Sequence, residues 1–457
     1  MILKLKKIAS IFGIDKAILF TSSSRILSSI GSVFTIILLV KYMSNIEQGY
    51  YYTFSSIAAI QIFFELGLNG IITQYAAHEA SNLRYEGKHA LIGKQKYLSR
   101  LSSLLHFSIK WYIVFALLLL VTLILIGIFF FNQYDSSGEE IINWTWPWIL
   151  LALGTSLNLV VSPILAFLQG LGKVKEIAKI QFNVLILTLT SLWVGLISGF
   201  NLYVLGLSSL VNVFFISLII VKQFRKLIYN IWKVAIVEKV HYRKEIFPFQ
   251  WKIALSWISG YFVFQLFNPI LFASEGAVVA GQMGMTLAVL NGILSLSFAW
   301  MSTKVPLFSG LIAQNKFNQL DSIFNQTLKK SSLVNFAGLL FLVLVIFLIR
   351  FFNIEISGNS FGNRFLDYGP LLLMMVPVLL NHISGSWAIY LRCHKKEPFL
   401  IFSIVTGTLT MLSTVFLGTN FGIQGLTIGY FFIMLLTFPW AYQIFKTKKE
   451  DWHATSI

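Results

Sequence analysis

Long apolar stretches alternate with short polar segments along all 457 residues of the chain. Most stretches hold on the order of 20 residues, the length that a helix needs to cross the ~30 Å hydrocarbon layer of a membrane. They are too long and unbroken for barrel strands, and lipid cannot satisfy an open backbone, so the pattern predicts membrane-spanning helices. We predict twelve helices, at residues 17–41, 49–77, 105–131, 147–168, 176–198, 202–222, 252–273, 277–302, 331–351, 368–391, 398–418 and 423–445.

Composition agrees with this pattern, and the distribution of charge predicts how the chain is oriented in the membrane. The chain is 56% hydrophobic and 12% charged, whereas soluble domains carry about 25% charged residues. Thirty of its 35 Lys and Arg residues lie before the first predicted helix, after the last, or within or directly beside every second connecting segment. Cations of short loops stay in the cytoplasm. We therefore predict that both termini are cytoplasmic. The net charge of +17 reflects this topology, and we expect no nucleic-acid partner.

Two inner segments are long enough to have structure of their own. Residues 85–103 and 226–243 mix cations with apolar and aromatic residues, which predicts amphipathic helices on the inner leaflet. The second lies near the middle of the chain. We predict an N-terminal six-helix bundle at 1–225, a basic amphipathic linker at 226–250 and a C-terminal six-helix bundle at 251–457.

The two halves are predicted to be related. Arg25 precedes Gly49 at the same sequence spacing at which Trp257 precedes Gly281, so one offset relates both pairs. Six helices per half is an even number, which makes the repeats parallel.

Arg25 and Glu65 are the main candidates for function, because an ionisable side chain inside a membrane helix is costly. A helix rises by about 1.5 Å per residue, which places them at a similar depth in adjacent predicted helices. Arg25 is a candidate anion ligand, and Glu65 a candidate charge partner or proton carrier. A purely structural ion pair between them would explain both residues equally well.

Other polar residues within the helices extend the candidate site. Amides usually join membrane helices, but they also bind ligands, and Lys110 is expected to extend to the inner interface. His382 is a candidate coupling residue and Pro269 and Pro377 are candidate hinges, with a hydrogen-bonded interior histidine and ordinary packing as alternatives. The further candidate substrate ligands are Gln61, Asn69, Asn158, Asn291 and Lys110.

Several kinds of chemistry lack a sequence signal. The chain has no GxxxxGK[ST] phosphate loop, no His, Cys and Asp spacing typical of a metal site, and only one cysteine, Cys393. We expect no cofactor, no metal and no enzymatic activity.

Three short motifs resemble those of bacterial O-antigen and polysaccharide-repeat-unit flippases. They are Glu47-Gln48-Gly49-Tyr50, Phe64-Glu65-Leu66-Gly67-Leu68 and Gln169-Gly170-Leu171-Gly172-Lys173. These flippases belong to the multidrug/oligosaccharidyl-lipid/polysaccharide exporter superfamily. The resemblance covers the whole chain in layout, and in motifs it covers the part up to Lys173.

The resemblance implies an all-α exporter (MATE-like) fold of two six-helix bundles in the bacterial cytoplasmic membrane. It implies secondary transport of undecaprenyl-diphosphate-linked oligosaccharide to the outer leaflet for O-antigen or capsule biosynthesis. It also implies a cationic lumen, whereas this chain has few intramembrane cations in its second half. A polysaccharide polymerase and other assembly proteins are the expected partners, besides the lipid bilayer.

Other functions remain open. A multidrug or cation antiporter of the same superfamily would share the fold and favour exposed acids such as Glu65. A peptidoglycan-precursor flippase is usually built of fourteen helices. A twelve-helix sugar facilitator would carry a GxxxDRxGRR motif, which segment 79–104 lacks. A polymerase or glycosyltransferase would need a large outer loop, and a structural membrane protein would not need Arg25 or Glu65.

Overall fold

A computed structural model describes residues 16–87, 89–134, 142–356, 358–394 and 396–454. The predicted cytoplasmic N-terminus at 1–15 and the acidic segment at Asp135, Glu139 and Glu140 lie outside the described residues. The helices are α1 Lys16–Tyr42, α2 Asn45–Ala58, α3 Ile62–Glu65, α4 Leu68–Ala80, α5 Gln95–Tyr134, α6 Thr145–Gly170, α7 Val174–Ile197, α8 Tyr203–Trp232, α9 Phe247–Phe264, α10 Phe267–Glu275, α11 Ala277–Ala313, α12 Phe317–Phe351, α13 Tyr368–Arg392 and α14 Leu400–Ala454. Two antiparallel hairpins, β1 Leu83–Glu86 with β2 Ala90–Gly93 and β3 Glu355–Ile356 with β4 Asn359–Ser360, join helices.

The number of membrane crossings agrees with the sequence. Ten helices of the described residues are long and apolar enough to cross a membrane, and the bent pair Asn45–Glu65 and Leu68–Ala80 supplies an eleventh span. The last helix, α14, changes direction at Gly422, which is not helical. Leu417 lies against Gly425 and Ser413 against Gly429, so α14 is a hairpin of two spans. The chain is a multi-pass membrane protein.

Packing groups the described residues into two units. Unit 1 holds residues 16–24, 57–133 and 143–258, and unit 2 holds chiefly residues 25–56 and 259–454. The predicted six-helix bundles, with boundaries at 225 and 250, describe the sequence repeat and not these packing units. They stay a prediction.

The predicted inner amphipathic helices are wrong as separate helices, because only 95–103 and 226–232 of their described residues are α-helical, as the ends of α5 and α8. Residues 83–93 form the β1–β2 hairpin, and α5 then begins at Gln95. Helix α8 continues to Trp232, residues 233–241 are irregular, and a π-helical turn spans Tyr242–Ile246. The irregular segment is held on α5, where Ser99 Oγ accepts hydrogen bonds from the backbone N–H groups of Val237 and Glu238 at 2.7 and 2.8 Å. Side-chain hydrogen bonds therefore satisfy backbone groups that a helix would have paired internally.

Small residues set the packing distance between helices in unit 1. Trp148 of α6 is fully buried and donates its indole N–H to the carbonyl of Leu123 on α5 at 2.9 Å. Its ring occupies the space where a side chain on Gly127 would lie.

We expect Gly127→Val to destabilise the protein by about 1–3 kcal/mol, because overpacking displaces Trp148 and disturbs its hydrogen bond. Gly70→Val is the matched control, because no atom lies within 4 Å of a Cβ placed at Gly70. Thermal unfolding in detergent would test this. An equal loss of stability in both variants would contradict the packing argument.

Candidate functional site

The helix that carries Glu65 is broken directly after this residue. Leu66 and Gly67 both adopt left-handed backbone angles, with φ of 50° and 65°, and the helix bends there by about 40°. A left-handed conformation is unfavourable for a leucine, and Gly67 lowers the cost of the turn. A side chain on Gly67 would also overlap Ile253. Both the backbone angle and the lack of space therefore favour glycine at this position. The predicted continuous helix at 49–77 is thus wrong at this point.

Glu65 belongs to a hydrogen-bonded chain within unit 1. The hydroxyl of buried Tyr112 donates to Asn69 Oδ1 at 2.9 Å, and Asn69 Nδ2 donates to Glu65 Oε1 at 2.6 Å. Glu65 is half-buried. Its second carboxylate oxygen accepts no hydrogen bond from the described residues, so Glu65 can bind a cation or a proton there.

The other unit 1 candidates differ in how exposed they are. Gln61 is half-buried in a 3₁₀ turn before Glu65, and Lys110 is exposed on α5. Asn158 donates to Ser209 Oγ at 2.9 Å and to the carbonyl of Gly154 at 3.1 Å, which joins α6 to α8.

Arg25 lies on the exposed face of α1 in unit 2. Its Nη1 donates to Ser302 Oγ of α11 at 2.6 Å, and Ser302 Oγ donates in turn to the carbonyl of Phe298 at 2.6 Å. Arg25 makes no salt bridge with any described residue. One hydrogen bond therefore fixes an edge of the guanidinium, and its other N–H groups can meet a ligand.

Arg25 and Glu65 fall in different units and have different partners. Ser302 holds Arg25, and Asn69 holds Glu65. Each side chain is thus held by a neutral partner of its own unit.

Hydroxyl and amide groups accompany Arg25 along two helices of unit 2. Ser28 and Ser32 follow Arg25 on the same face of α1, and Ser28 is exposed. On α11, Asn291 and Ser295 are exposed on the face that carries Ser302. Sequence reasoning missed Ser28, Ser32 and Ser302, although serines at helical spacing after Arg25 are a readable signal.

His382 is fully buried in α13. Ser332 Oγ lies 3.4 Å from its Nδ1, and its ring lies 5.2 Å from the ring of Phe298. Next to it, Asn335 donates to Ser297 Oγ at 3.2 Å. These contacts form a buried polar cluster between α11, α12 and α13.

The two candidate hinge prolines behave differently. The helix breaks at Gln265–Leu266, where Pro269 cannot donate a hydrogen bond to the carbonyl of Gln265. Helix α13 runs through Pro377 without a break.

Solved structures share this fold, although no family model and no curated protein matches the sequence. The chain is similar to the lipid II flippase MurJ in an inward closed conformation, with a TM-score of 0.56 and 15% identity over 95% of this chain and 90% of that one. It is similar to an outward-facing multidrug resistance MATE family transporter of the MOP superfamily, with a TM-score of 0.54 and 13% identity over 94% and 97%.

The chain has the fold of these transporters. Identities this low carry a fold and not a substrate. The predicted all-α, MATE-like fold with about twelve spans is confirmed.

Proposed function

We propose that this protein is a secondary transporter of the MOP superfamily that acts as a flippase. Its substrate is an undecaprenyl-diphosphate-linked oligosaccharide repeat unit, moved from the cytoplasmic to the outer leaflet of the bacterial cytoplasmic membrane. Surface polysaccharide biosynthesis, of O-antigen or capsule, is the process that it would serve. The observation that carries the proposal is an exposed arginine, Arg25, in a membrane helix with only a neutral partner among the described residues.

The chemistry of Arg25 suits a diphosphate. A guanidinium is always charged, and its forked N–H groups match phosphate oxygens in pairs. A neutral hydroxyl fixes its position without cancelling its charge, so its field remains available to an anion. Away from bulk water that attraction is stronger than it would be at the surface.

The neighbouring surface suits sugars. Exposed Ser28 and Asn291 offer a hydroxyl and an amide, which are the groups that exchange hydrogen bonds with carbohydrate. One strong anion ligand with neutral polar neighbours would hold the diphosphate while it tolerates variation in the oligosaccharide.

The likeness to a protein described as a lipid II flippase supports the proposal at the level of fold. The motif resemblance to polysaccharide-repeat flippases adds the substrate class. We also propose cytoplasmic termini, as the distribution of cations predicts, and docking to a polysaccharide polymerase and other assembly proteins.

The proposal can be tested with purified protein in liposomes. A fluorescent polyprenyl-diphosphate oligosaccharide would be placed in both leaflets, and a membrane-impermeant quencher would then be added outside. Wild-type protein should expose nearly all of the label over time, and protein-free liposomes only the outer half. Equal quenching in the two preparations would overturn the proposal.

A second candidate function is an ion-coupled antiporter of drugs or other cations. The observation that favours it is Glu65, a carboxylate in a membrane helix with one oxygen free of hydrogen bonds from the described residues. Such an acid could bind a cationic substrate, and a MATE transporter shares the fold. In the flippase, the same acid would serve as the coupling residue.

We expect Glu65→Gln to flatten the pH dependence of transport or to remove its ion dependence. Glutamine can still accept the hydrogen bond of Asn69, so the fold is retained while the titratable group is lost. The measurement is transport rate across a pH and sodium series, with the exposed Glu355→Gln as control. An unchanged dependence would leave Glu65 with a structural role only.

A further inference from the structure

Arg364 is the only lysine or arginine that the described part of the chain buries fully, at 1% exposure. It lies in the 3₁₀ turn Gly362–Arg364 between α12 and α13. Its Nη2 donates to the carbonyl of Met43 at 2.7 Å, and its Nη1 donates to Gln48 Oε1 at 3.2 Å. Gln48 Nε2 donates back to the carbonyl of Arg364 at 3.3 Å and to that of Gly281 at 2.8 Å.

These hydrogen bonds join the two halves of the sequence. Met43 and Gln48 come from the first predicted repeat, and Gly281 and Arg364 come from the second. All of these residues belong to unit 2. The distribution of cations predicts that this end faces outside the cell.

A close backbone crossing lies beside these hydrogen bonds. A Cβ on Gly281 would lie 2.9 Å from the backbone nitrogen of Gly49, and a Cβ on Gly49 would overlap the carbonyl oxygen of Ala277. The helices α2 and α11 can touch only because both positions are glycine. Gly49 and Gly281 are the two positions that the predicted internal repeat makes equivalent.

The chemistry of Arg364 suits an interaction that opens. Its hydrogen-bond acceptors are neutral, and its Nε is buried with no acceptor among the described residues. A buried donor left unsatisfied is unfavourable, so separation of the two halves would rehydrate it. The carboxylate of Glu47 also acts on Arg364 electrostatically, but the hydrogen bonds that hold Arg364 to the first half go to neutral acceptors.

The loop that carries Arg364 is held by another residue. Arg350 donates to the carbonyls of Gly362 and Leu366 at 3.2 and 3.0 Å and stacks over the ring of Tyr368 at 4.7 Å. All of these partners belong to the second half. The side chain of Arg364 is therefore not needed to hold the loop on the second half, and its hydrogen bonds join the loop to the first half.

We propose that Arg364, Gln48 and the Gly49–Gly281 crossing form an outer gate. The gate is closed in this structure, and the Arg364 and Gln48 hydrogen bonds must break whenever the substrate leaves on the outer side. This inference rests on the proposed transport function. None of the gate residues is among the proposed substrate ligands.

Distances between spin labels would test the gate without any substrate. Labels would be placed at exposed Lys41 and Phe351, in a Cys393→Ser background, and the protein would be studied in lipid nanodiscs. We expect Gln48→Ala and Gly49→Ala each to raise the population of longer distances about fivefold or more. Gln48→Glu should do the opposite, because a carboxylate at position 48 replaces the neutral acceptor of Arg364 Nη1 with a charged one and holds the gate shut.

Two controls match these changes. Gln282→Ala removes a hydrogen bond to the Arg364 loop, at 2.9 Å to the carbonyl of Asn363, that does not involve the first half. Gly292→Ala adds a methyl group to α11 where no atom lies within 4 Å. Both should leave the distances unchanged.

Unchanged distances in Gln48→Ala, Gly49→Ala and Gln48→Glu, in folded protein, would overturn the gate. Shifts of equal size in the controls would overturn it as well. A failed flippase assay would not affect the result, because the distances are measured without substrate.

Discussion

Arg25→Ala should abolish most transport of the lipid-linked oligosaccharide while leaving the protein folded and inserted. The substitution removes the charge that would hold the diphosphate, and among the described residues it breaks only the side-chain hydrogen bond to Ser302. Hydrogen bonds between a charged and another group contribute about 1.5–3 kcal/mol. That corresponds to a decrease of about ten- to a hundredfold in substrate affinity. Transport rate against substrate concentration in proteoliposomes is the measurement.

Two controls separate charge from geometry. Arg25→Lys keeps the charge but loses the paired N–H donors of the guanidinium, so it should retain part of the transport activity. Lys110→Ala removes a different cation, one that is exposed on α5. It tests whether the loss of any cation from a membrane helix lowers transport as much as the loss of Arg25 does. Normal export by Arg25→Ala at normal protein level would exclude Arg25 as the anion ligand.

Arg100→Ala should cost about 3–5 kcal/mol of stability, because it leaves the buried carboxylate of Glu79 without its arginine partner. Arg100 Nε donates to Glu79 Oε1 at 2.8 Å, and its Nη2 donates to Glu245 Oε2 at 2.6 Å. Glu79 is 1% exposed. The triad joins α4 and α5 to the segment that leads into α9. Thermal and chemical unfolding in detergent would measure the change in stability.

The same helix offers the control for Arg100. Lys96 pairs with Glu238 at 3.2 Å, but both side chains are largely exposed, so Lys96→Ala should cost about 1 kcal/mol at most. Adding Glu79→Gln to Arg100→Ala should recover part of the stability by removing the buried charge. Similar destabilisation in the Lys96 and Arg100 variants would contradict the argument from burial.

The triad also predicts a pH dependence. Partial burial opposes the ionisation of Glu245, but hydrogen bonds from Arg100 and from the backbone of His241, together with the charge of Arg100, hold the pKa of its carboxyl below the ordinary value. Its contribution to stability is therefore complete above the ordinary pKa of a glutamate. That contribution should be lost as the pH falls through the lowered pKa, and Arg100→Ala should remove this part of the pH dependence.

Hydropathy predicted the membrane helices well because the apolar stretches must match the bilayer thickness. It placed their inner ends less well. Helix α5 begins at Gln95 and α12 at Phe317, both well before the apolar stretch begins. Charged residues mark the edge of the hydrocarbon layer, but they do not end a helix.

Depth in the membrane does not by itself predict the partner of Arg25. Rise per residue gives the height of a side chain, and Arg25 and Glu65 have similar predicted heights. It does not give the direction in which the side chain points, and the hydrogen bond of the Arg25 guanidinium goes to Ser302. The break after Glu65 was also missed, because nothing in the sequence announces that Leu66 adopts a left-handed conformation.

The predicted internal repeat singles out two positions that lie together in the structure. Two glycines at the same offset, Gly49 and Gly281, prove to lie in contact with each other. Equivalent positions of a parallel repeat meet where the two copies approach their common axis. A sequence can therefore indicate a contact between halves even when it does not indicate the residues that bind the substrate.

The most direct test of the flippase is made in the bacterium itself. A strain that lacks this gene should accumulate undecaprenyl-diphosphate oligosaccharide on the cytoplasmic face of the membrane, as measured by its protection from a reagent that reaches only the outer face. Wild-type protein should reverse the accumulation, and Arg25→Ala should not. No accumulation, together with a changed sensitivity to cationic drugs, would contradict the flippase and favour the antiporter.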